Sequence, residues 1–311
     1  MKILFVSRSK SETPKPFVKE QADALANYCH VEVQHFLIRN GGIRGYFRAA
    51  ARLAEWIKAN GIDIVHAHYG FSALAVVISK LLFYRKYKLV ITFHGSDILL
   101  KSDLKYSIFA ARFSAHNILV SEKMLPWFRK KFSVIPCGID VNVSLVYRES
   151  IRKEMKWGED DFIILFSSSF DRKIKDPEFA FSVIEKLSHI SKKRIRFIEL
   201  KGYTRNELTG IMQAADALLM CSVSEGSPQI IKEAILNTLP VVSNDIGEVR
   251  SICAGVDHCY IVKKDVDAYV QCLESIAAQN IRIQNRCPVI RKFDNKLISE
   301  KLYDIYRHVL D

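Results

Sequence analysis

Short apolar runs alternate with amphipathic stretches along the whole chain. Ile3–Val6, Val31–Leu37, Ile64–Val65, Leu89–Phe93, Ile118–Val120 and Ser133–Ile135 read as strands, and Pro16–Asn27, Gly45–Asn60 and Ser72–Phe83 between them carry apolar residues at helical spacing. A polar, charged stretch, Asp140–Asp161, follows, and the alternation then restarts. The second series has strands at Phe162–Phe166, Ile195–Glu199, Ala217–Met220, Pro240–Ser243 and Tyr260–Val262, with helices at Pro177–His189, Asn206–Ala214, Pro228–Leu236 and Val266–Ala278. Alternation of this kind predicts parallel sheets covered by helices, an α/β protein. It predicts one domain over residues 1–140, a second over 141–295, and a closing amphipathic helix over 296–311 with apolar Leu297, Ile298, Leu302, Ile305, Tyr306 and Val309.

Composition is compatible with that picture. A chain of 311 residues with 49% hydrophobic and 26% charged content is long enough for two globular domains. No apolar run reaches the ~18 residues of a membrane span, so a soluble or peripheral protein is expected. The N-terminal MKILFVSRSK has too short an apolar run for a signal peptide and suits a first buried strand. Seven cysteines, odd in number, widely spaced and without a C-x-x-C pair, predict reduced, mostly buried thiols in a cytoplasmic protein.

Charge changes the picture more. Of the net +12, residues 1–145 carry +11, from 21 lysines and arginines against 10 acidic residues. A basic first half predicts an anionic partner there: anionic lipid, a pyrophosphate-linked acceptor or nucleic acid. No stacking motif or recognition helix accompanies the charge, which sets nucleic acid aside.

The most informative stretch is Leu218–Ser243, LLMCSVSEGSPQIIKEAILNTLPVVS, which reads as strand, polar turn, helix and strand. Gly226 and Ser227 can bring bare backbone N–H groups to a helix start, and Pro228 suits the first turn, an arrangement fit for an anion. Glu225 precedes that start and Glu233 lies two turns on. Carboxylates accept from adjacent sugar hydroxyls, so one glutamate can hold a ribose and the other a hexose with phosphates between them. Taken alone, Glu225 also reads as a helix-start charge and Glu233 as a solvated helical residue.

Here the sequence resembles the family 4 retaining glycosyltransferases. Glu225-Gly-Ser-Pro…Lys232-Glu233-Ala234…Pro240-Val-Val-Ser243 is similar to their E-x7-E segment, whose glutamates contact a nucleotide-sugar donor. The resemblance implies the GT-B fold, two Rossmann-like domains facing each other across a cleft, with the acceptor on the first and the nucleotide-sugar on the second. Thr92-Phe-His94-Gly-Ser-Asp97 resembles the segment whose histidine lies beside the donor sugar, which implies that role for His94; otherwise His94 is a hydrogen-bonded strand-end residue. Val134-Ile-Pro-Cys-Gly138-Ile-Asp140 resembles the passage by which the chain leaves the first domain, Gly138 permitting the turn, and the last helix is expected to cross back onto that domain. In Ser167-Ser-Ser-Phe-Asp-Arg172-Lys-Ile-Lys175, Lys175 matches a lysine that grips the donor diphosphate, whereas Ser169 stands where an arginine is usual. Arg172 or Lys173 can supply the second charge. Gly202, in the loop Lys201–Arg205, is placed for the nucleotide base. The first-strand loop Ser7–Pro16 departs from the Gly-Gly pair of many relatives.

Two other motifs read as structural. His66-Ala-His68 could be a metal pair, but no third ligand lies at helpful spacing, and Asp265-Val-Asp267 precedes a helix and reads as its cap. Arg44, Arg48 and Arg52 form a stripe on one helix, with Phe47, Leu53 and Trp56 elsewhere on its surface, and Phe83–Lys88 and Pro126–Phe132 mix aromatics with cations. Each cluster alone is a solvated helix end. Together, on a half carrying +11, they predict an anionic membrane surface. The function implied is retaining transfer of a sugar from a UDP- or GDP-sugar to a lipid-linked glycan acceptor in surface polysaccharide biosynthesis, without cofactor or metal, at the inner membrane face. His94, Lys175 and Glu225 are its expected catalytic residues. The rivals are a catalytically weakened scaffold or membrane-docking subunit and a nucleotide-sugar epimerase of the same fold.

Overall fold

A computed structural model describes residues 1–83, 87–129 and 131–311. Tyr84, Arg85 and Lys86 of the first aromatic-basic run, and Lys130 of the second, lie outside the described residues. Two compact units divide the chain, Met1–Ile139 with Phe293–Asp311, and Asp140–Lys292. The return to the first unit therefore begins three residues before the expected 296.

In the first unit, β1 (Lys2–Arg8), β2 (Glu32–Ile38), β3 (Ile64–His68), β4 (Lys88–Phe93), β5 (His116–Leu119) and β6 (Phe132–Val134) form a sheet in the order β2-β1-β3-β4-β5-β6. Every pairing is parallel. Successive side chains point to opposite faces, so each strand feeds two cores. Leu4, Val6, Val65, Ala67, Leu89 and Ile91 pack with the helices Gly42–Asn60 and Gly70–Leu82 on one side. Ile3, Phe5, Ile64 and Val90 pack on the other with Val18, Ala22 and Leu25 of the helix Pro16–Cys29 and with Ile298, Leu302, Tyr306 and Val309 of the last helix, Asn295–Leu310. That helix is thus core of the first unit. Its entrance is fixed by Ile139, which donates to Phe293 O at 2.8 Å and accepts from Asn295 N at 3.0 Å. Gly138 serves this approach by lacking a side chain, because a Cβ there would collide with Asn295.

In the second unit, β7 (Asp161–Phe166), β8 (Arg194–Glu199), β9 (Ala217–Met220), β10 (Val241–Asn244) and β11 (Cys259–Val262) form a second parallel sheet, ordered β11-β10-β9-β7-β8. Phe162, Ile164, Phe166, Ala217, Leu219 and Val242 meet Ala180, Val183 and Leu187 of the helix Pro177–Ile190 and Tyr269, Val270 and Leu273 of the helix Val266–Gln279. Both sheets are doubly wound α/β. In each, the first strand lies between the second and the third, so the winding reverses between β1 and β3 and between β7 and β9. Crevices at the carboxyl ends of such strand pairs are where open α/β sheets bind ligands.

The structure corrects several sequence expectations. The polar, charged stretch Asp140–Asp161 holds a helix that its pattern does not predict, Arg148–Glu154, whose Arg148 and Arg152 reach the carboxylate of Asp216 at 2.7 and 3.2 Å. Asp216 also accepts from Ile163 N at 2.8 Å, so one carboxylate ties this helix to β7 and to the start of β9. Leu53 is not on the helix surface but buried, whereas Phe47 and Trp56 are exposed. All seven cysteines are free, yet only Cys221 and Cys253 are buried and Cys287 is exposed. Asp265 does cap its helix, accepting from Ala268 N at 3.0 Å. Among the described residues no helix is long and apolar enough to cross a membrane.

Removing Asp216 leaves two guanidinium groups without their carboxylate, a loss of about 3 kcal/mol or more. Asp216→Ala should lower the urea midpoint of the second unit accordingly. The change is read through the buried Trp157 in a Trp56→Phe, Trp127→Phe background, and an unchanged midpoint would show that the carbonyl contacts of Arg148 and Arg152 suffice.

Candidate functional site

The loops after β7 and β9 flank the winding reversal of the second sheet, and they are joined by backbone. Val223 N donates to Ile174 O at 2.9 Å, and the Cys221 thiol lies 3.3 Å from Lys175 O. The turn Lys173–Lys175 presents Lys175, and Asp176, in the left-handed conformation at φ 54°, caps the helix Pro177–Ile190 through Phe179 N. Lys175 is buried and forms an ion pair with Glu225, itself mostly covered. Two residues 50 positions apart thereby join the two loops.

The Glu225–Pro228 turn is held from behind. Glu248 N donates to Gly226 O at 2.9 Å, and Gly247, at φ 55°, packs so closely that a Cβ would collide with the carbonyls of Glu225 and Gly226. Pro228 is the N-cap of the helix Gln229–Leu236, which has no side-chain cap, so its first N–H groups face the turn. Lys232 is fully buried beneath that turn and donates to Ser227 Oγ and Gln229 Oε1, both at 2.9 Å. Sequence reading passed over Lys232. Its signal is a lysine among Ile230, Ile231, Ala234 and Ile235, on the inward side of an otherwise apolar helix.

Lys175, Glu225, Gly226, Ser227 and Pro228 are thus brought together. Glu233 is mostly buried and ion-paired with Arg205, a partner that sequence reading did not assign. Ser169 Oγ donates to Asp171 at 3.1 Å, and the Arg172 guanidinium donates to Ser168 Oγ at 3.2 Å from an exposed position, so these side-chain bonds go elsewhere, while Lys175 N donates to Arg172 O at 2.8 Å. Gly202 is exposed at φ 83°, just before the helix Arg205–Ala214 and its Thr204/Glu207 capping box.

In the first unit, three imidazoles line the ends of β3 and β4. His66 and His68 stack with centroids 4.5 Å apart, and His68 and His94 at 5.4 Å. His66 Nδ1 is 2.5 Å from the Tyr306 hydroxyl and its Nε2 2.7 Å from Thr92 Oγ1. His68 Nδ1 is 3.1 Å from His94 Nε2, and His94 Nδ1 is 3.7 Å from Cys137 Sγ. Asp97 fixes the His94 loop, accepting from the backbone N–H groups of His94 and Gly95 at 3.0 Å and of Gly70 at 3.1 Å. Burial drives His68 and His94 well below the ordinary imidazole value and His66 to about 3, so all three are neutral near pH 7. Burial pushes Asp97 up to about 6, its N–H bonds opposing. Among the described residues, no group of three or more His, Cys, Asp or Glu side chains could hold a metal ion.

Comparison with known proteins follows the two series of strands. Residues 5–143 match the model of "Glycosyltransferase Family 4" and residues 163–279 that of "Glycosyl transferases group 1". An uncharacterized glycosyltransferase, MJ1178, of Methanocaldococcus jannaschii is 28% identical over 63% of this chain and 60% of its own length. The putative teichuronic acid biosynthesis glycosyltransferase TuaC of Bacillus subtilis is 24% identical over 73% of this chain and 64% of its own. The chain therefore spans about three fifths of the length of these curated relatives. The structure of Anabaena HepE in complex with UDP-glucose superimposes with a TM-score of 0.71 over 98% of both chains at 16% identity, a likeness of fold.

The buried imidazoles set a pH dependence for the first unit. As pH falls through about 6.5 the unfolded chain protonates its histidines while the folded unit does not, so the folded state loses stability. Asp97 has the opposite sign, since its folded carboxyl takes a proton near pH 6 and its unfolded one only near 4, which returns part of the loss. Three imidazoles against one carboxyl leave a net loss of ~3 kcal/mol per pH unit near pH 5. Protection of the β3 and β4 amides from hydrogen exchange, corrected for intrinsic rate, should fall between pH 6.5 and 5. Constant protection would mean that the imidazoles are hydrated in the folded unit.

Proposed function

We propose that this chain, whose residues 5–143 match the Glycosyltransferase Family 4 model and 163–279 the Glycosyl transferases group 1 model, is a glycosyltransferase that moves a sugar, with retention of configuration, from a UDP- or GDP-sugar to a lipid-linked glycan acceptor in surface polysaccharide synthesis. The observation that carries the reading is the Lys175–Glu225 pair at the winding reversal of the second sheet, beside a helix start without a side-chain cap. In this reading Lys175 exchanges Glu225 for the donor diphosphate, and the first N–H groups of Gln229–Leu236 meet the remaining phosphate charge. Glu225, released from Lys175, accepts from sugar hydroxyls. Glu233, steadied by Arg205, accepts from the ribose, and the Gly202 turn lies under the base.

Leaving-group charge is greatest as the glycosidic bond breaks, so Lys175, and Arg172 from the same loop, act chiefly on the transition state. No metal is assigned. The departing phosphate takes the acceptor hydroxyl's proton on the face it leaves, which retains configuration. His94 is neutral and its ring nitrogens face His68 Nδ1 and Cys137 Sγ, so any part it takes is as a hydrogen-bonding group and not as a charge. HepE was solved with UDP-glucose and TuaC is named for teichuronic acid biosynthesis, which supports the donor and pathway classes. The peripheral, inner-face location is supported by Arg44, Arg48 and Arg52, all exposed on the helix Gly42–Asn60 whose other face, Tyr46, Leu53 and Ile57, is core.

Two outcomes test this. The purified protein should release nucleoside diphosphate from a nucleotide-sugar, and Lys175→Ala should weaken nucleoside diphosphate binding by roughly 10–100-fold, the ~1.5–3 kcal/mol of a charged hydrogen bond, while barely changing nucleoside binding. An equal loss for both ligands would place Lys175 in the fold and not at the phosphates. In vesicle sedimentation at low salt, the protein should pellet with anionic and not neutral lipid. Arg44, Arg48 and Arg52 changed together to Glu should lower that binding at least a hundredfold, given ~1 kcal/mol for each cation at the surface. Pelleting that ignores these changes would move the docking face elsewhere.

A further inference from the structure

The first unit holds a pocket of about 390 Å³, within the ~300–1,000 Å³ range of small-molecule sites, that none of the roles above uses. It opens beside Arg8, at the carboxyl end of β1, and runs between the start of the helix Gly42–Asn60 and the helix Gly70–Leu82. Three rings follow one another along it: Tyr46 stacks on Phe71 with centroids 5.8 Å apart, and Phe71 meets Tyr106 at 5.4 Å. Leu74 completes the aliphatic side, and Phe47 stands at the rim, 50% exposed. Among the described residues that line it, Arg8 is the one charged side chain, with no carboxylate and no side-chain amide.

The polar groups gather at one end. The Tyr46 hydroxyl is buried with no partner at full hydrogen-bond distance, and the charges that act on it are Arg8 and, opposing it and outside the lining, Asp103. Just outside, the same helix presents the exposed Arg44 and Arg48. A hydroxyl-rich ligand would lose hydrogen bonds along such a lining, since only Arg8 and the tyrosine hydroxyls could replace those it makes to water. A ligand with hydrocarbon on one side and a phosphate at its end loses fewer, because its apolar part covers the rings and its anion meets the cation.

We propose that this pocket receives the hydrocarbon nearest the phosphate of a lipid-phosphate acceptor, with Arg8 and the Tyr46 hydroxyl donating to a phosphate oxygen. The inference rests on the reading that the acceptor is lipid-linked, and it names where the first unit holds that lipid. Phe47 at the rim then lies against the chain as it leaves for the bilayer, on the face that Arg44 and Arg48 hold to anionic headgroups.

Binding of farnesyl phosphate, farnesol and inorganic phosphate to the full chain, followed by calorimetry, tests it without any need for turnover. Farnesyl phosphate should bind at least tenfold more tightly than either farnesol or inorganic phosphate. Arg8→Gln should reduce it to the level of farnesol, and Leu74→Trp, which fills the pocket, should abolish both. Phe47→Ser, at an exposed position that cannot unfold the core, should weaken farnesyl phosphate several-fold. Unchanged binding in Leu74→Trp and Phe47→Ser together would overturn the proposal, as would displacement of farnesyl phosphate by a free oligosaccharide, which would make the pocket a sugar subsite. Transfer to a lipid-linked acceptor that survives Leu74→Trp would overturn the pocket and keep the lipid-linked reading. Transfer to free saccharide alone would reject that reading itself.

Discussion

The Lys175–Glu225 ion pair is the constraint on which the second unit's site depends. Both side chains are nearly out of water, and neither charge is tolerated there without the other. Buried pairs of this kind add little net stability over apolar residues of the same size, because desolvation offsets the attraction. What the pair does is fix geometry. It obliges the loop after β7 and the loop after β9 to stay together, and the backbone bond from Val223 to Ile174, the close packing of Gly247 and the buried Lys232 all reinforce one placement of the Glu225–Pro228 turn. On the proposed reading a donor diphosphate would take the place of the Glu225 carboxylate at Lys175, and sugar hydroxyls would take the place of Lys175 at Glu225, so neither charge would be left without a partner.

A second constraint, of opposite character, governs the first unit. Its ligand-side strand ends are lined by imidazoles that burial keeps neutral, arranged in a stack whose hydrogen bonds begin at Tyr306 and Thr92 and end near Cys137. The polarity is provided by oriented dipoles and not by charge. The net charge of this half lies instead on its outside, on residues such as Arg44, Arg48 and Arg52 that touch no core. Stability and surface chemistry are thereby separated: titrating the outer arginines is impossible near neutrality, while titrating the inner histidines costs the fold.

Much of this was legible in the chain itself, and the part that was not has a common cause. Eleven apolar runs gave eleven strands, and Glu225, Gly226, Ser227, Pro228 and Lys175 were named from local pattern and resemblance. What local pattern cannot supply is a partner far along the chain. Arg205 for Glu233, Asp216 for Arg148 and Arg152, and Gly247 behind Gly226 are choices made by the folded sheet. The helix Arg148–Glu154 escaped notice because it buries no residue of its own and is held by guanidinium groups reaching outward from it. The helix Lys101–Ala111 is hard to read because only Ser107 and Ala110 are fully buried, and the apolar Leu104, Ile108 and Ala111 that pack against the core share it with the exposed Tyr106 and Phe109. Leu53 was misplaced because one apolar residue beside a basic stripe does not say which face is inward.

The last helix has a consequence for the order in which the protein is made. Ile298, Leu302, Tyr306 and Val309 are core of the first unit, yet they are synthesised after the whole of Asp140–Lys292, on the order of ten seconds later at ordinary translation rates. During that interval one face of the first sheet, with Ile3, Phe5, Ile64 and Val90, has only the helix Pro16–Cys29 as cover, and His66 lacks the tyrosine hydroxyl that its Nδ1 meets. The second unit, whose core is drawn only from its own continuous segment, can complete itself first. On the ribosome the first unit therefore completes its core after the second, and a nascent chain paused before Asn295 leaves part of an apolar sheet face open to a chaperone.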